Sequence, residues 1–481
     1  MLHKVSAYSP ASPVSEQGLH RRLGLFEVTA LSVGFMGPVM AMALNGIGIA
    51  NLVGKAVPFT FIVSFVGTLL VAYAFIRLTR FFTHAGSVYA LAGSTLGPRA
   101  GFFGGFALLG TYVFFAACIT GACAVFFEAM LGQLGLTMTG GWWVLVPLVV
   151  AALALLMNTR ESLTTTRVLL AIGFLGIIAM VILAVIVIVR VGGPDSPVST
   201  GVDLGSLLPS GAGMNAVMTA SVFGFLSWAG FESGTSLSEE AKDPHRTIPR
   251  ALLFAVVLAG FLYTFIMFAQ TIGYGTDEAG IAAFAGASST LTDMSSIYIG
   301  AWFAVLISVI AFVVALASLV SSTAAASRLL FALARDGFGP ATLGRVNVHG
   351  VPAHALYVVL AVTLVLVLGL FLGGQGSIEV YYWYATIATL CMVVAYGMTS
   401  VGAIRYAISR SPVPRWEAVV PVLGLGYLAY VFLVQLVGQE PPYTYFPIIA
   451  GVWCLTGLIV VLVAPGLADR IGARLTREEL E

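Results

Sequence analysis

The sequence predicts an all-α polytopic membrane protein of twelve transmembrane helices. They form two inverted five-helix units, helices 1–5 and 6–10, followed by helices 11 and 12. Three observations carry this. Of 481 residues, 59% are apolar and only 9% are charged, with a mean hydropathy of +1.00. That composition excludes a water-soluble globular domain. Twelve apolar runs approach or exceed the length needed to cross a bilayer. The 22 Lys and Arg fall between those runs with one strong bias. With the N-terminus in the cytoplasm, 20 lie on the cytoplasmic side and only Lys55 and Arg190 on the other.

The elements follow in order. Residues 1–22 are polar, lack the apolar core of a signal peptide, and read as a cytoplasmic tail. Span 1 (26–52) contains SVGFMGPVMAMALNGIG, with Gly34, Gly37 and Pro38 at mid-depth. Proline lacks an N–H and glycine tolerates left-handed backbone, so a break is expected there. Spans 2 and 3 (57–79 and 100–131) are continuous, with Arg77, Arg80 and Arg99 between them. Span 4 (142–157) is short for a crossing, so its start is expected earlier. Arg160 and Arg167 precede the body of span 5 (167–190).

Span 6 (213–236) begins as an ordinary apolar helix and then meets SWAGFESG, where Ser, Gly and a carboxylate replace aliphatic residues. It exits into EEAKDPHRTIPR (239–250), a loop of mixed sign. Spans 7 to 12 follow at 250–273, 298–334, 353–373, 379–404, 417–438 and 444–465, and residues 467–481 read as a second cytoplasmic tail. No linker or shift in composition divides residues 23–466, which form one membrane domain. Its first repeat covers about 26–190, its second about 213–404, and helices 11 and 12 about 417–465. An odd number of spans per unit starts the second unit from the opposite side. Cys118, Cys123, Cys391 and Cys454 all fall inside apolar spans and read as small buried residues.

Spans 1 and 6 hold corresponding places in the two units, and both are interrupted. Interrupted helices at matching positions of inverted repeats point to a transporter binding site near the bilayer midplane. Four blocks make the likeness specific: GLFEVTALSVGFMGP (24–38), THAGSVYALAGSTLGPRAGFFGGF (83–106), GFESGTSLSEEAKDPHRTIPRA (230–251) and SRLLFALARDGFGP (327–340). Through them the chain resembles the amino acid–polyamine–organocation superfamily, which has the leucine-transporter fold.

The resemblance implies a zwitterion site. A substrate carboxylate would rest on free backbone N–H groups of helix 1 at Gly37, Pro38, Val39 and Met40, with Ala41 beside them. An amine would face carbonyls of helices 1 and 6, at Ser227, Trp228, Ala229 and Gly230 on the latter. Half-helix ends carry partial charges that suit both groups. The family's Gly-(Ser/Ala)-Gly-Ile is replaced here by Gly37-Pro38-Val39-Met40. Proline removes one donor and valine adds bulk, which opens the range of substrates to amines and other small metabolites.

Trp228 stands where relatives place an aromatic gate. Glu232, an intramembrane carboxylate, reads as a cation partner, a proton relay, or a structural or gating group. Asn45 faces either the cavity or another helix. Thr111, Tyr112 and Thr120 are candidate liners of span 3. Ser318, Ser321, Ser322 and Thr323 offer hydroxyls either to sodium, with Ser321 and Ser322 foremost, or to close helix packing. Gly173 occupies the place where some proton-coupled relatives carry a lysine, so exchange, uniport and proton coupling through another group such as Glu232 all stay open, as does the coupling ion, proton or sodium. The aromatic run YYWYATIAT (381–389) fits an interfacial belt or an outer gate.

The expected function is secondary active transport of a small amino acid by alternating access at the plasma membrane (the inner membrane, if bacterial). Both termini are expected in the cytoplasm. A transporter of an amine, polyamine or other organic cation is the alternative. A non-transporting sensor, expected to carry a long cytoplasmic extension, is third. No HExxH, nucleophile elbow or paired-carboxylate cluster suggests an enzyme. The expected partners are the small-molecule substrate and the lipid bilayer. No nucleic acid, cofactor or obligatory protein partner is expected.

Overall fold

The computed structural model describes residues 23–82, 87–159, 163–238, 241–347, 350–409, 414–464 and 466–471. The expected tails at 1–22 and 472–481 lie outside them, as do Glu239 and Glu240. Span 1 is two helices, α1 (Leu25–Met36) and α2 (Pro38–Val53). A 3-10 turn at Gly54–Ala56 leads into α3 (Val57–Leu78). A short α4 (Val88–Leu96) precedes α5 (Pro98–Gln133), α6 (Leu145–Thr159) and α7 (Leu163–Val191). Span 6 is α8 (Met214–Leu226) followed by a 3-10 segment, Phe231–Leu237. Then come α9 (Pro244–Tyr274), the short α10 (Glu278–Ala285) and α11 (Thr290–Tyr298), and α12 (Ala301–Arg335). The last four are α13 (Ala353–Leu372), α14 (Ser377–Ser409), α15 (Val419–Leu436) and α16 (Phe446–Val463).

Eleven stretches among the described residues are long and apolar enough to span a bilayer. The sequence reading expects twelve. The difference lies in the first stretch, Leu25–Leu78, which is 54 residues long and contains both span 1 and span 2. At 1.5 Å per residue it would extend about 80 Å as one helix, far beyond a hydrocarbon core of about 30 Å. The turn at Gly54–Ala56 divides it. The fourth span does not start earlier: it runs Trp142–Thr159, gaining two residues at its far end instead.

The most buried helices are not the most apolar: the windows of α5 and α14 have mean hydropathies of 2.0 and 1.8, against 3.3 for α7 and 2.9 for α13. The windows of α5 and α14 are 78% and 72% buried, against 33% for α13, α15 and α16 and 28% for α7. Helices buried all round form the axis of the bundle, and half-buried ones face lipid. Close approach between α5 and α14 depends on Gly121, where a Cβ would meet Tyr381 N at 2.8 Å and Ser377 O at 2.9 Å. Small residues bring membrane helices into backbone contact in this way. All four cysteines are buried and unbridged.

One boundary shifts. Residues 467–471, expected in the C-terminal tail, fold back on the body. Leu467 and Ile471 are buried, and the Arg470 side chain donates from Nε to the Asp336 carbonyl at 2.9 Å. Their apolar side chains gain more from burial than from water.

Between α7 and α8 the chain is fastened by Asp203, whose carboxylate accepts from Lys55 Nζ at 2.9 Å and from Gly205 N at 2.8 Å. The Lys55 hydrogen bond holds the Asp203 carboxyl below its usual range. A depressed pKa contributes stability that is present above the unfolded-state value, about 3.9, and lost as pH falls through the lower folded value. Melting curves of purified protein taken downward from pH 5 should show this acid loss in the wild type and a smaller one in Asp203→Asn. Equal losses would remove the pair from the account.

Candidate functional site

The helix 1 break is a single residue. Gly37 adopts φ 60°, ψ 60°, which glycine enters without a steric penalty. Its N–H donates to Gly34 O and its carbonyl accepts from Ala41 N at 2.9 Å. Pro38 is the first residue of α2, where its missing N–H costs nothing. Val39 and Met40 follow in the first turn of α2, where backbone N–H groups have no partner within their own helix. These donors sit at the positive end of α2. Around them the surface is apolar. Val39, Met40, Ala41, Met36 and Phe35 are all buried.

The helix 6 break runs from Ser227 to Gly230. Ser227, Trp228 and Ala229 tighten into 3-10 bonds to Gly224, Phe225 and Leu226, and Gly230 turns the chain with φ 91°. A side chain at Gly230 would overlap the Phe35 ring, so the two breaks meet face to face.

Neighbouring helices saturate the backbone groups on either side. Ser318 Oγ of α12 donates to Phe35 O at 2.9 Å. Gln270 Nε2 donates to Met42 O at 2.9 Å, and Thr290 Oγ1 to Met42 O and Ala43 O at 3.1 Å each. Tyr382 OH donates to Leu44 O at 2.7 Å.

The side chains singled out from sequence divide into two groups. Ser227 and Asn45 are brought together, Asn45 Nδ2 donating to Ser227 Oγ at 2.8 Å while Tyr381 OH donates to Asn45 Oδ1 at 2.7 Å. Asn45 thus joins three helices, and its amide is used up on both ends. Glu232 is fully buried and accepts from Tyr112 OH at 2.9 Å and from Tyr396 OH. Phe75 and Phe231 meet the Tyr396 ring edge-on, with centroids 5.1 and 5.4 Å away. That carboxylate ties the second half of span 6 to α5 and α14.

The others are placed elsewhere. Trp228, expected beside the ligand, points away from helix 1. Its Nε1 donates to Val256 O at 3.2 Å, and its ring stacks on Phe65 at 6.1 Å and meets Tyr263 edge-on at 5.1 Å. The 3-10 tightening over 227–229 turns this side chain toward α3 and α9. The Thr111 hydroxyl bonds Ala107 O in its own helix. Ser321 and Ser322 do likewise with Ala317 O and Leu319 O. Among the described residues no three His, Cys, Asp or Glu gather as a metal site. The sequence reading did not single out Tyr396, Gln270 or Thr290. A tyrosine deep in an apolar span, remote from the interface belt at 381–384, was the signal available for Tyr396.

On the Lys/Arg-rich face, Lys242 N donates to Leu23 O at 3.0 Å and His245 Nδ1 lies 3.0 Å from Arg80 O. The loop after span 6 thus lies across the start of α1. The mixed charges there supply one exposed pair, Arg246 with Asp243 at 3.8 Å.

Two interrupted membrane helices, meeting face to face inside a multi-pass bundle, define a membrane transporter. Comparison with known sequences agrees: the chain belongs to the amino acid permease family, whose pattern matches residues 27–463. It is 23% identical over 470 residues to the branched-chain amino acid permease BcaP of Bacillus subtilis (strain 168), covering 94% of each chain. It is 25% identical over 325 residues to the low-affinity putrescine importer PlaP of Escherichia coli (strain K12), covering 67% of this chain and 68% of that one. A methylthioribose transporter of Bacillus subtilis (strain 168) is 23% identical over 349 residues, covering 69% and 71%.

The placement of Trp228 has a measurable consequence. Trp228→Ala should lower stability by about 3–5 kcal/mol through loss of the buried ring, while the folded fraction binds ligand as tightly as wild type. Weakened binding with the melting temperature intact would return the indole to the ligand.

Proposed function

We propose that this permease carries a small amino acid with an apolar side chain across the plasma membrane by alternating access, at a midplane site between the two breaks. The observation that carries this reading is the left-handed break at Gly37, which opens α2 with the first-turn N–H groups of Val39 and Met40. A helix N-terminus with free donors favours an anion, and a carboxylate can accept from both. Ser227 accepts from Asn45, which leaves its own hydroxyl proton uncommitted across the break. Phe35, Met36 and Met40 suit an apolar side chain. Glu232 is engaged by two tyrosines and stands as a gating group in this reading, its bonds to α5 and α14 holding the second half of span 6. The likeness to BcaP over nearly the whole length supports an amino acid.

The rival reading, an amine or polyamine, is favoured by the likeness to PlaP. It needs a cation partner, and the one carboxylate near the breaks is already occupied. The 20-to-2 distribution of Lys and Arg supports an orientation with both termini in the cytoplasm.

A thermal-shift series tests the carboxylate. Millimolar leucine, valine and alanine are compared with their amides and with the amines lacking the carboxyl group. A ligand that binds only the folded state raises the melting temperature by mass action. The acids should stabilise and the amides and amines should not. Stabilisation by amines alone would overturn the reading. Uptake with and without a sodium gradient, and at two pH values, then assigns the coupling ion.

A further inference from the structure

We propose that Tyr381 is the latch of the Lys/Arg-poor side of the site, holding the two half-helices there closed by fastening Asn45 to the start of α14. This rests on the alternating-access reading above. Asn45 of α2 and Ser227 at the end of α8 are joined at 2.8 Å, and both are about 1% exposed. The two half-helices therefore move as a pair. What ties the pair to the bundle axis is Tyr381, through its 2.7 Å bond to Asn45 Oδ1, with Tyr382 gripping Leu44 O one residue away.

The start of α14 cannot follow them. Gly121 of α5 lies against the backbone of Tyr381 and Ser377, with no room for a Cβ, and Ser377 also donates to Glu128 of α5. A fixed hydroxyl facing a movable amide is a contact that opens only when α2 and α8 swing away together. Removing the hydroxyl takes away one neutral hydrogen bond, a loss that shifts a two-state equilibrium roughly fivefold. The ring and its edge contact with Tyr382 at 5.2 Å remain in Tyr381→Phe. Tyr381 is thus a positioning residue that acts through Asn45.

The test is one reporter read from two sides. Ala41→Cys is placed in a background with Cys118, Cys123, Cys391 and Cys454 replaced by alanine, in right-side-out and in inverted vesicles. Labelling by a membrane-impermeant maleimide is timed with no substrate present. Tyr381→Phe should speed labelling roughly fivefold from the Lys/Arg-poor side and leave the other side unchanged or slower. No change on either side overturns the latch. Equal gains on both sides also overturn it, because general loosening has no direction. If Tyr381→Phe does not reach the membrane, Tyr382→Phe is held to the same one-sided result. The assay needs no substrate, so a failed latch leaves the proposed cargo standing. A failed ligand series leaves the latch to be judged on labelling alone.

Discussion

A helix that breaks inside a membrane exposes backbone N–H and C=O groups that no lipid can satisfy, at several kcal/mol for each group left bare. The rest of the structure is arranged around two such breaks. Ser318, Gln270, Thr290 and Tyr382 each donate to a carbonyl of α1 or α2. They come from α12, α9, α11 and α14, so most of the bundle is tied to one interrupted helix. The short helices α10 and α11, outside the twelve expected spans, have a structural purpose in this light. Thr290, the first residue of α11, donates to two carbonyls of α2, sharing Met42 O with Gln270 of α9 and reaching Ala43 O as well.

The donors left over mark the site. A family pattern of two glycines would expose more backbone than Gly37-Pro38-Val39-Met40 does. Here proline supplies no N–H, and Ala41 N is already spent on Gly37 O. The N–H groups of Val39 and Met40 are the ones without a partner in their own helix, and the packing of Phe35 against Gly230 sets how near the second break lies. Glu232, half a turn beyond Gly230, is held by two phenols and so does not add a third polar group to the same space.

Much of this was legible in the sequence, and the limits are physical. Helix positions follow from apolar run length, because the bilayer fixes that length. The breaks at Gly37 and Gly230 follow from residues whose backbone preferences are local. Side-chain direction at a break is not local. Trp228 and Ser227 are neighbours in sequence, yet one faces Phe65 and the other Asn45. Neither helical nor extended periodicity applies across four residues of tightening turn, so the spacing could not assign them. Asn45 read as either a cavity liner or an interhelical bond, and its partner Tyr381 lies 336 residues away. Tyr396 is hidden for the same reason: it matters only through Glu232, 164 residues distant.

Family membership does not decide the cargo. Relatives at similar identity are named for a branched-chain amino acid, putrescine and methylthioribose, which differ in charge and in hydrogen-bonding groups. What they share with this chain extends over most of its length, so cargo must be set by a few positions within a common bundle. Under the proposed reading that place is the first turn of α2, whose side chains are apolar and whose N–H groups have no partner within the helix. Of the polar side chains around it, Asn45, Thr290 and Ser318 are committed to other helices, while Gln270 spends Nε2 on Met42 O and keeps a buried Oε1 without a partner. In that reading, a cargo bearing one carboxylate and an apolar body meets the positive helix end and the apolar packing together. A diamine would bring two cations to a place that offers no free carboxylate, and burying an unpaired charge costs more than the apolar contacts return.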